Sequence, residues 1–423
     1  MFRSTPNARR RPARSFASAL AMSLGMVGAT FGSAALLSAP VMAQDYSKEF
    51  VAVYQPAAEV VNAEGGDAAS VTGQFPAILA AAKTPDDRFA AGNLLLIAGN
   101  KTSSPQLQRQ GLEQMVASGK APPEQIGQFQ YFIGSLAYQA KDFAAARTAL
   151  QAAEQAGYTG PDVDIPGLIV ESYFAEGNGQ AAIDYIKQAS EARTAAGGQV
   201  PENWLLKALQ SAYDQNLSSQ AVEVSGLLLK SYPTERNWMN ALQVINAMNE
   251  FEPQQQLDLL RLMRETGSIS DRNEYVRYIE AADPRIMSNE VNGVLAEAVA
   301  SGQLSAGDTY YTEVKSIADQ RASQDRTDAP GLVSEAQSAG DPMLAMEAGD
   351  VVYSLGDYAQ AEAMYQMAVD KGATDRETAL TRLGMAQAKQ GKFTEAQATL
   401  GQVSGARAPI AQMWSLYAET QAG

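Results

Sequence analysis

The stretch that decides the fold is LTRLGMAQAKQGKFTEAQATLGQV, residues 380–403. The preceding stretch AMEAGDVVYSLGDYAQAEAMYQMA, residues 345–368, places small, turn-forming and large apolar residues in the same order. Its Gly349 is equivalent to Gly384, which gives a period of 35 residues. A period of this length is typical of stacked helix–turn–helix units. The sequence therefore predicts a repeat array, which offers an extended binding surface rather than a single catalytic pocket.

Helical periodicity extends the pattern toward the N-terminus. Phe129, Ile133 and Ala137 recur at helical spacing, a turn follows at residues 141–142, and Ala146 lies in a second helix. Further helix pairs are predicted over residues 168–189, 201–228 and 238–263. No run of β-strand character interrupts them, so we expect an all-α chain that is more than about two-thirds helical, against a base rate near one-third.

Changes in composition predict the domain boundaries. The predicted segments are a signal peptide (1–43), a loosely attached lead-in (44–72), helical repeats that diverge after about residue 270 (73–322), a linker (323–331) and C-terminal repeats (332–423). The linker is predicted because the stretch up to Pro330-Gly331 is polar and ends in two helix-breaking residues. The last amphipathic helix, around Trp414, is predicted to cap the apolar end of the stack.

The first 43 residues have the pattern of a secretory signal. A basic start that includes Arg9, Arg10 and Arg11 precedes an Ala-rich apolar run, and Val41-Met42-Ala43 offers small residues for cleavage. We expect cleavage after Ala43 and a periplasmic or secreted product. An uncleaved membrane anchor is the alternative, which the Ser and Gly residues within the run disfavour. Because the chain has no Cys, a lipid-modified cysteine is excluded, and no stable membrane anchor is expected.

Composition restricts the chemistry of the chain. The net charge of −15 disfavours nucleic acid and anionic lipid, although acidity also keeps an exported protein soluble. With neither His nor Cys, the chain lacks the usual catalytic triads and the usual zinc ligands. Carboxylate-only mechanisms remain open, and the acids most worth noticing are Asp86, Asp87, Asp162, Asp164 and Glu171. None of them lies in a calcium-binding loop. We therefore predict no catalytic residue, no metal and no cofactor.

The repeat positions resemble those of the tetratricopeptide repeat (TPR) family. Leu383-Gly384, the turn Gly391-Lys392-Phe393, Ala396 and Leu400 fill the family's small, turn, small and large positions. The stretches that begin at Gly349 and Gly134 repeat this order. The resemblance implies a right-handed α-solenoid of helix–turn–helix repeats. It also implies a role in binding extended peptides or other proteins without catalysis.

The resemblance further implies which residues line the inner face of the solenoid. These candidate partner-binding residues are Tyr131, Ser135, Tyr138, Glu171, Phe174, Met346, Asp350, Tyr353, Thr381 and Met385. Some family members use Lys and Asn on this face to grip a C-terminal carboxylate, and these positions hold neither residue here. Aromatic, Met and acidic side chains favour a basic or apolar segment of a protein or peptide. The alternative is that the tyrosines pack inward between helices.

The functional hypothesis is a non-catalytic scaffold in the bacterial cell envelope that binds a protein or peptide through this face. Its alternative is a TPR component of an exopolysaccharide secretion system, or of another glycan-associated envelope system. An enzyme acting through paired carboxylates is a third, weaker reading. The oligomeric state is left open by the sequence.

Overall fold

The structure is a computed structural model that describes residues 45–160 and 163–422. Helices hold 78% of these residues, and none of the described residues lies in a β-strand. The all-α prediction is therefore confirmed. The signal peptide, with its cleavage site, and Asp162 lie outside the described residues. The described residues divide into two compact units, with the boundary between Pro122 and Pro123, which the sequence did not indicate.

The first unit contains four α-helices and a 3-10 helix around one core. The helices are α1 (Lys48–Asn62), the 3-10 helix (Ala68–Gln74), α2 (Phe75–Ala81), α3 (Pro85–Lys101) and α4 (Pro105–Ala117). Phe50 and Val61 of α1 are fully buried, and they share a core with Val71, Leu94 and Leu95. The prediction of a loosely attached lead-in over 44–72 is therefore wrong, because its apolar residues form part of this core.

Hydrogen bonds to Asp87 fix the start of α1. The Ser47 backbone N–H and hydroxyl donate to the two Asp87 carboxylate oxygens at 3.0 and 2.8 Å, and the Thr84 N–H donates at 3.1 Å. Burial alone would raise the pKa of Asp87, but these hydrogen bonds outweigh it and lower the pKa. Asp87, one of the acids considered for carboxylate chemistry, thus has a structural role.

The second unit contains sixteen described α-helices and a short 3-10 helix, Gly405–Arg407. The first eight are α5 (Pro123–Gln139), α6 (Phe143–Gln155), α7 (Ile165–Glu176), α8 (Gly179–Ala195), α9 (Glu202–Asp214), α10 (Ser218–Ser231), α11 (Glu235–Met248) and α12 (Pro253–Glu265). The others are α13 (Arg272–Ala282), α14 (Ser288–Ala300), α15 (Thr309–Ala339), α16 (Pro342–Ser354), α17 (Tyr358–Asp370), α18 (Arg376–Lys389), α19 (Phe393–Leu400) and α20 (Ala408–Ala422). Each packs on its neighbours in sequence, as expected of an α-solenoid.

Close crossings hold the two helices of a pair together. A methyl group in place of the Gly384 hydrogen would lie 2.5 Å from Leu400 Cγ, and one at Gly349 would lie 2.6 Å from Tyr365 Cε1. Only glycine therefore allows α18 to approach α19, and α16 to approach α17, this closely. The predicted small positions Ala146, Ala361 and Ala396 are fully buried. The repeat register proposed from the sequence is confirmed at these positions.

The turn between paired helices uses one residue in the left-handed conformation. This residue is Lys141, Gly177, Asn216, Gly356 or Gly391 in five pairs, with φ of 61°, 79°, 56°, 82° and 75°. In three of the pairs the next residue, Asp or Asn, caps the second helix by accepting a backbone N–H. Glycine adopts this conformation without strain, whereas a lysine side chain is strained there.

The predicted linker over 323–331 is wrong, because these residues lie inside α15. Pro330 is exposed, so its ring points away from the packed side of the helix. The buried residues of α15 form one stripe that includes Asp325, Ala329, Val333 and Ala336. Burial of this stripe, whose residues recur at helical spacing, stabilises a continuous helix. Its effect outweighs the helix-breaking tendency of Pro330-Gly331.

Four helices of the second unit, α10, α12, α18 and α20, make contacts far along the chain. Helix α12 packs against α18 and α20 as well as against α11 and α13, and α20 also packs against α10. The run Leu257–Met263 of α12 is buried on all sides, as is the run Thr378–Ala388 of α18. The last helix is therefore more than the predicted cap, because Trp414 is fully buried and donates to the Asp258 carbonyl oxygen at 2.9 Å.

Candidate functional site

Three helices in the first half of the second unit bring several predicted residues together. Tyr138 of α5 and Phe174 of α7 are partly exposed, and Glu171 of α7 lies beside Tyr138. Lys207 of α9 bonds the Glu171 carboxylate, and its Nζ lies 5.7 Å from the centre of the Phe174 ring. We call the set Tyr138, Glu171, Phe174 and Lys207 the N-terminal face.

The charged side chains in and beside the N-terminal face form ion pairs with one another. Burial, with a smaller contribution from Glu171, raises the pKa of Tyr138, so its hydroxyl stays neutral. Beside this set, Arg147 of α6 pairs with Glu176 at 2.8 Å, and its guanidinium lies 4.3 Å from the centre of the Tyr173 ring. Lys207 and Arg147 therefore neutralise nearby acids that were expected to attract a basic partner, which leaves the aromatic side chains as the distinctive feature.

Two predicted residues of α5 lie apart from this set. The Tyr131 ring packs 5.4 Å from that of Tyr158, at the edge of a small core around Leu150 and Ile169. The Ser135 hydroxyl donates to the Tyr131 carbonyl oxygen of its own helix at 2.9 Å. Both side chains are half-buried and have intramolecular roles.

The candidate residues of the C-terminal repeats do not form an open groove. Thr381 and Met385 are fully buried, and Tyr353 is only 6% exposed. Met346 is partly buried, and Asp350 accepts hydrogen bonds from Tyr365 and Arg382. The prediction of an accessible face here is wrong, because α12 packs against α18 and against Tyr353, whose ring centre lies 4.6 Å from the Arg261 guanidinium. The inward-packing alternative is correct for Tyr353.

A buried carboxylate, Asp258, connects α12 to the C-terminal helices. Arg261 approaches it at 3.2 Å and Arg382 at 3.4 Å, and Arg407 forms a further short contact. All four side chains are at least 95% buried. Burial alone would raise the pKa of Asp258, but the charges of Arg382, Arg407 and Arg261 lower it. Asp258 is therefore a buried anion whose charge is balanced locally.

Glu290 of α14 extends this network. The Nε and Nη2 atoms of Arg261 each donate to it at 2.8 Å, and the Tyr278 hydroxyl donates at 2.8 Å. Burial alone would raise the pKa of Glu290, but Arg261 and the hydrogen bonds lower it. Since both carboxylates are bonded to arginines and ionised, neither is available as a general acid. This network was not predicted from the sequence, where its only signal is an arginine within an apolar run, LLRLM at 259–263.

No cluster of three or more metal-binding side chains occurs among the described residues. Within the same residues, every helix is too short or too polar to cross a membrane.

Comparison with protein-family models and with curated protein sequences finds no match. Among solved structures, the chain is similar to one titled "Structure of Naa15/Naa10 bound to HypK-THB", with 12% identity and a TM-score of 0.28 over 86% of this chain and 65% of that one. A second is titled "Crystal Structure of the Yeast Tom70", with 11% identity and a TM-score of 0.18 over 88% of this chain and 96% of that one. At these values neither similarity indicates a function for this chain.

Proposed function

We propose that this chain is a non-catalytic, TPR-like scaffold that binds a protein or peptide through the N-terminal face. The observation that carries the proposal is the arrangement of Tyr138, Phe174 and Lys207, contributed by α5, α7 and α9. Partly exposed aromatic side chains on adjacent helices are typical of contact surfaces, because aromatic anchors dominate binding energy at protein interfaces.

The chemistry of this face favours an apolar or aromatic segment as the partner. Glu171 is already bonded to Lys207, and Glu176 is bonded to Arg147. A basic partner would have to compete with these cations, whereas an apolar side chain would pack on Phe174 and Tyr138 without separating a charge pair. We therefore expect binding that depends only weakly on salt concentration.

The proposed location is the bacterial cell envelope, after removal of residues 1–43. The basis is the basic, apolar and small-residue order of the N-terminus. N-terminal sequencing of the protein recovered from the periplasmic fraction should find Gln44 first. Recovery of the intact N-terminus in the membrane fraction would contradict export as a cleaved product.

Site-specific photo-crosslinking tests the binding face. A photoreactive amino acid at position 174 or 138 should capture the same partner in cells. The control position is Tyr213, a tyrosine of α9 that is 45% exposed and lies outside the N-terminal face. Crosslinking of the same partner from position 213 alone would show that the face is wrong. Capture of a polysaccharide instead of a protein would favour the glycan-associated alternative.

Binding by variants then measures the contribution of the face. With the captured partner purified, Tyr138→Ala combined with Phe174→Ala should weaken binding at least about a hundredfold, the loss of a pair of interface hot spots. Tyr213→Ala should bind as wild type. Unchanged affinity in a folded double variant would refute the proposed face.

A further inference from the structure

A polar cavity of about 170 Å³ lies where α12, α13 and α14 meet α16 and α17. Arg261, Tyr278, Glu290 and Tyr353 are its buried lining residues. Its partly exposed lining residues include Arg264, Glu265, Ser354 and Tyr358. The volume is large enough for several water molecules, or for a small organic molecule in their place. The cavity shares no residue with the N-terminal face.

Hydrogen bonds within the lining leave the Tyr353 hydroxyl without a partner, and the buried side-chain oxygen of Asn289 has none in the described chain either. Tyr353 is only 6% exposed, and among the described residues its hydroxyl makes no hydrogen bond. Burial raises the pKa of Tyr353 well above its ordinary value, so the hydroxyl keeps its proton and is a donor. A hydroxyl that faces a cavity and has no protein partner is usually satisfied by water or by a ligand.

The other polar groups of the lining differ in whether they already have hydrogen-bond partners. Glu290 accepts from Arg261 and Tyr278, and Glu265 accepts from Lys389 at 2.6 Å. By contrast, the Tyr358 hydroxyl makes no hydrogen bond to another described residue. Its ring centre lies 5.1 Å from that of Tyr353. The unused hydrogen-bonding groups therefore include two neighbouring tyrosine hydroxyls.

Arg264 contributes a cation to the cavity lining. Its Nε and Nη2 atoms bond Glu297, whereas its Nη1 bonds no carboxylate of the described chain. Gly293 makes room for the guanidinium, because a methyl group at this position would lie 2.9 Å from Arg264 Nη2. The lining charges of Arg261 and Arg264 balance those of Glu265 and Glu290. The charged side chains of the lining therefore sum to zero, so the lining does not repel an anion as the negative charge of the whole chain would.

From this arrangement we infer that the cavity binds a small molecule through a carboxylate group, held by the hydroxyls of Tyr353 and Tyr358 and by Arg264. A carboxylate offers planar acceptor oxygens, which match the unused donors, and a guanidinium favours such an oxyanion. Water satisfies the same donors when the ligand is absent. The inference does not depend on the proposed function.

The test is titration of the full mature chain with acetate, succinate and benzoate, followed by calorimetry and ligand-observed NMR at constant ionic strength. Acetamide, succinamide and benzamide are the matched neutral probes. At least one carboxylate should bind saturably in the millimolar range or tighter, and at least tenfold more tightly than its amide. Absence of saturable binding by all three acids, or equal binding of acid and amide, would overturn the inference.

Two tyrosine variants separate binding from stability. Tyr353→Phe removes a hydroxyl that has no protein partner, so it should leave the unfolding temperature without ligand unchanged or higher. It should weaken carboxylate binding at least tenfold. Tyr365→Phe is the matched control, since the Tyr365 hydroxyl donates to Asp350 at 2.8 Å. The control should lower the unfolding temperature and retain binding. Full binding by Tyr353→Phe, or loss of stability in that variant, would refute the assigned donor.

Discussion

At the residue scale, Asp258 balances the positive charges of three arginines inside the second unit. Its buried carboxylate faces the side chains of Arg261, Arg382 and Arg407. Replacing Asp258 by Ala would leave these cations in the interior without their common anion. We expect a loss of about 3–5 kcal/mol in the free energy of unfolding, measured by urea denaturation. The matched control is Asp319→Ala, which breaks the exposed pair with Lys315 and should cost less than about 1 kcal/mol. Equal effects would contradict the structural role of Asp258.

Acid should destabilise the protein partly through this same carboxylate. The folded-state pKa of Asp258 is lowered, so its contribution to stability is fully present above the unfolded-state pKa, which is near 4. The contribution is lost as pH falls from about 4 through the lower folded-state value. The unfolding free energy of wild type should therefore fall more steeply below about pH 5 than that of Asp258→Asn. Parallel pH profiles of the two proteins would contradict this assignment.

At the element scale, the helix–turn–helix units were predictable where the determinants are local in sequence. Gly384 and Leu400 meet as the 35-residue register requires, because both lie within one hairpin. The linker was mispredicted because Pro330 is a strong local signal, while the buried stripe of α15 shows only when the partners of Ala329 and Val333 are known.

The turns of the helix pairs provide an element-scale prediction. Lys141 adopts φ of 61° where other pairs have glycine, a conformation that strains its side chain. Lys141→Gly should therefore raise the free energy of unfolding by about 0.5–1 kcal/mol, since relief of strain exceeds the greater flexibility of glycine in the unfolded chain. Asn216→Gly, at the equivalent turn, should have a smaller effect because asparagine tolerates this conformation better. Chemical denaturation of both variants distinguishes them, and destabilisation by Lys141→Gly would show that the turn is not strained.

Helix α15 offers a second prediction at this scale. Pro330 lies inside it and cannot donate the backbone hydrogen bond of its turn. In wild type, amides on both sides of Pro330 should be protected from hydrogen exchange, which a linker would not show. Pro330→Ala should restore the missing donor and slow exchange further around residues 326–334. Rapid exchange throughout this stretch in both proteins would support the linker that the sequence predicted.

At the scale of the whole molecule, only part of the accessible surface could be predicted from the sequence. Tyr138 and Phe174 are partly exposed, and their place on a binding face, which rests on the repeat register, stays a prediction. Tyr353 and Met385 were placed wrongly because the helix that covers this region, α12, lies about a hundred residues earlier in the chain. Arg382 contacts Asp258 across 124 residues. No local pattern encodes such a contact, and a repeat register assumes that each unit meets only its neighbours.

The contact between Trp414 and α12 gives the prediction that separates this arrangement from an ordinary solenoid. In a solenoid, damage to the last helix loosens the last repeat and leaves the middle unchanged. Here Trp414 is fully buried and bonds the Asp258 carbonyl oxygen. Trp414→Ala should cost about 3–5 kcal/mol and should speed hydrogen exchange in α12 over residues 257–263 as well as in α20. Trp204→Ala is the matched control, since this buried tryptophan lies on α9, which is not among the helices that pack on α12. This variant should speed hydrogen exchange in α9 and α7 and leave exchange in α12 unchanged. If Trp414→Ala speeds exchange only in α19 and α20, then α12 is stabilised without the C-terminal helix, and the second unit behaves as a chain of neighbouring repeats.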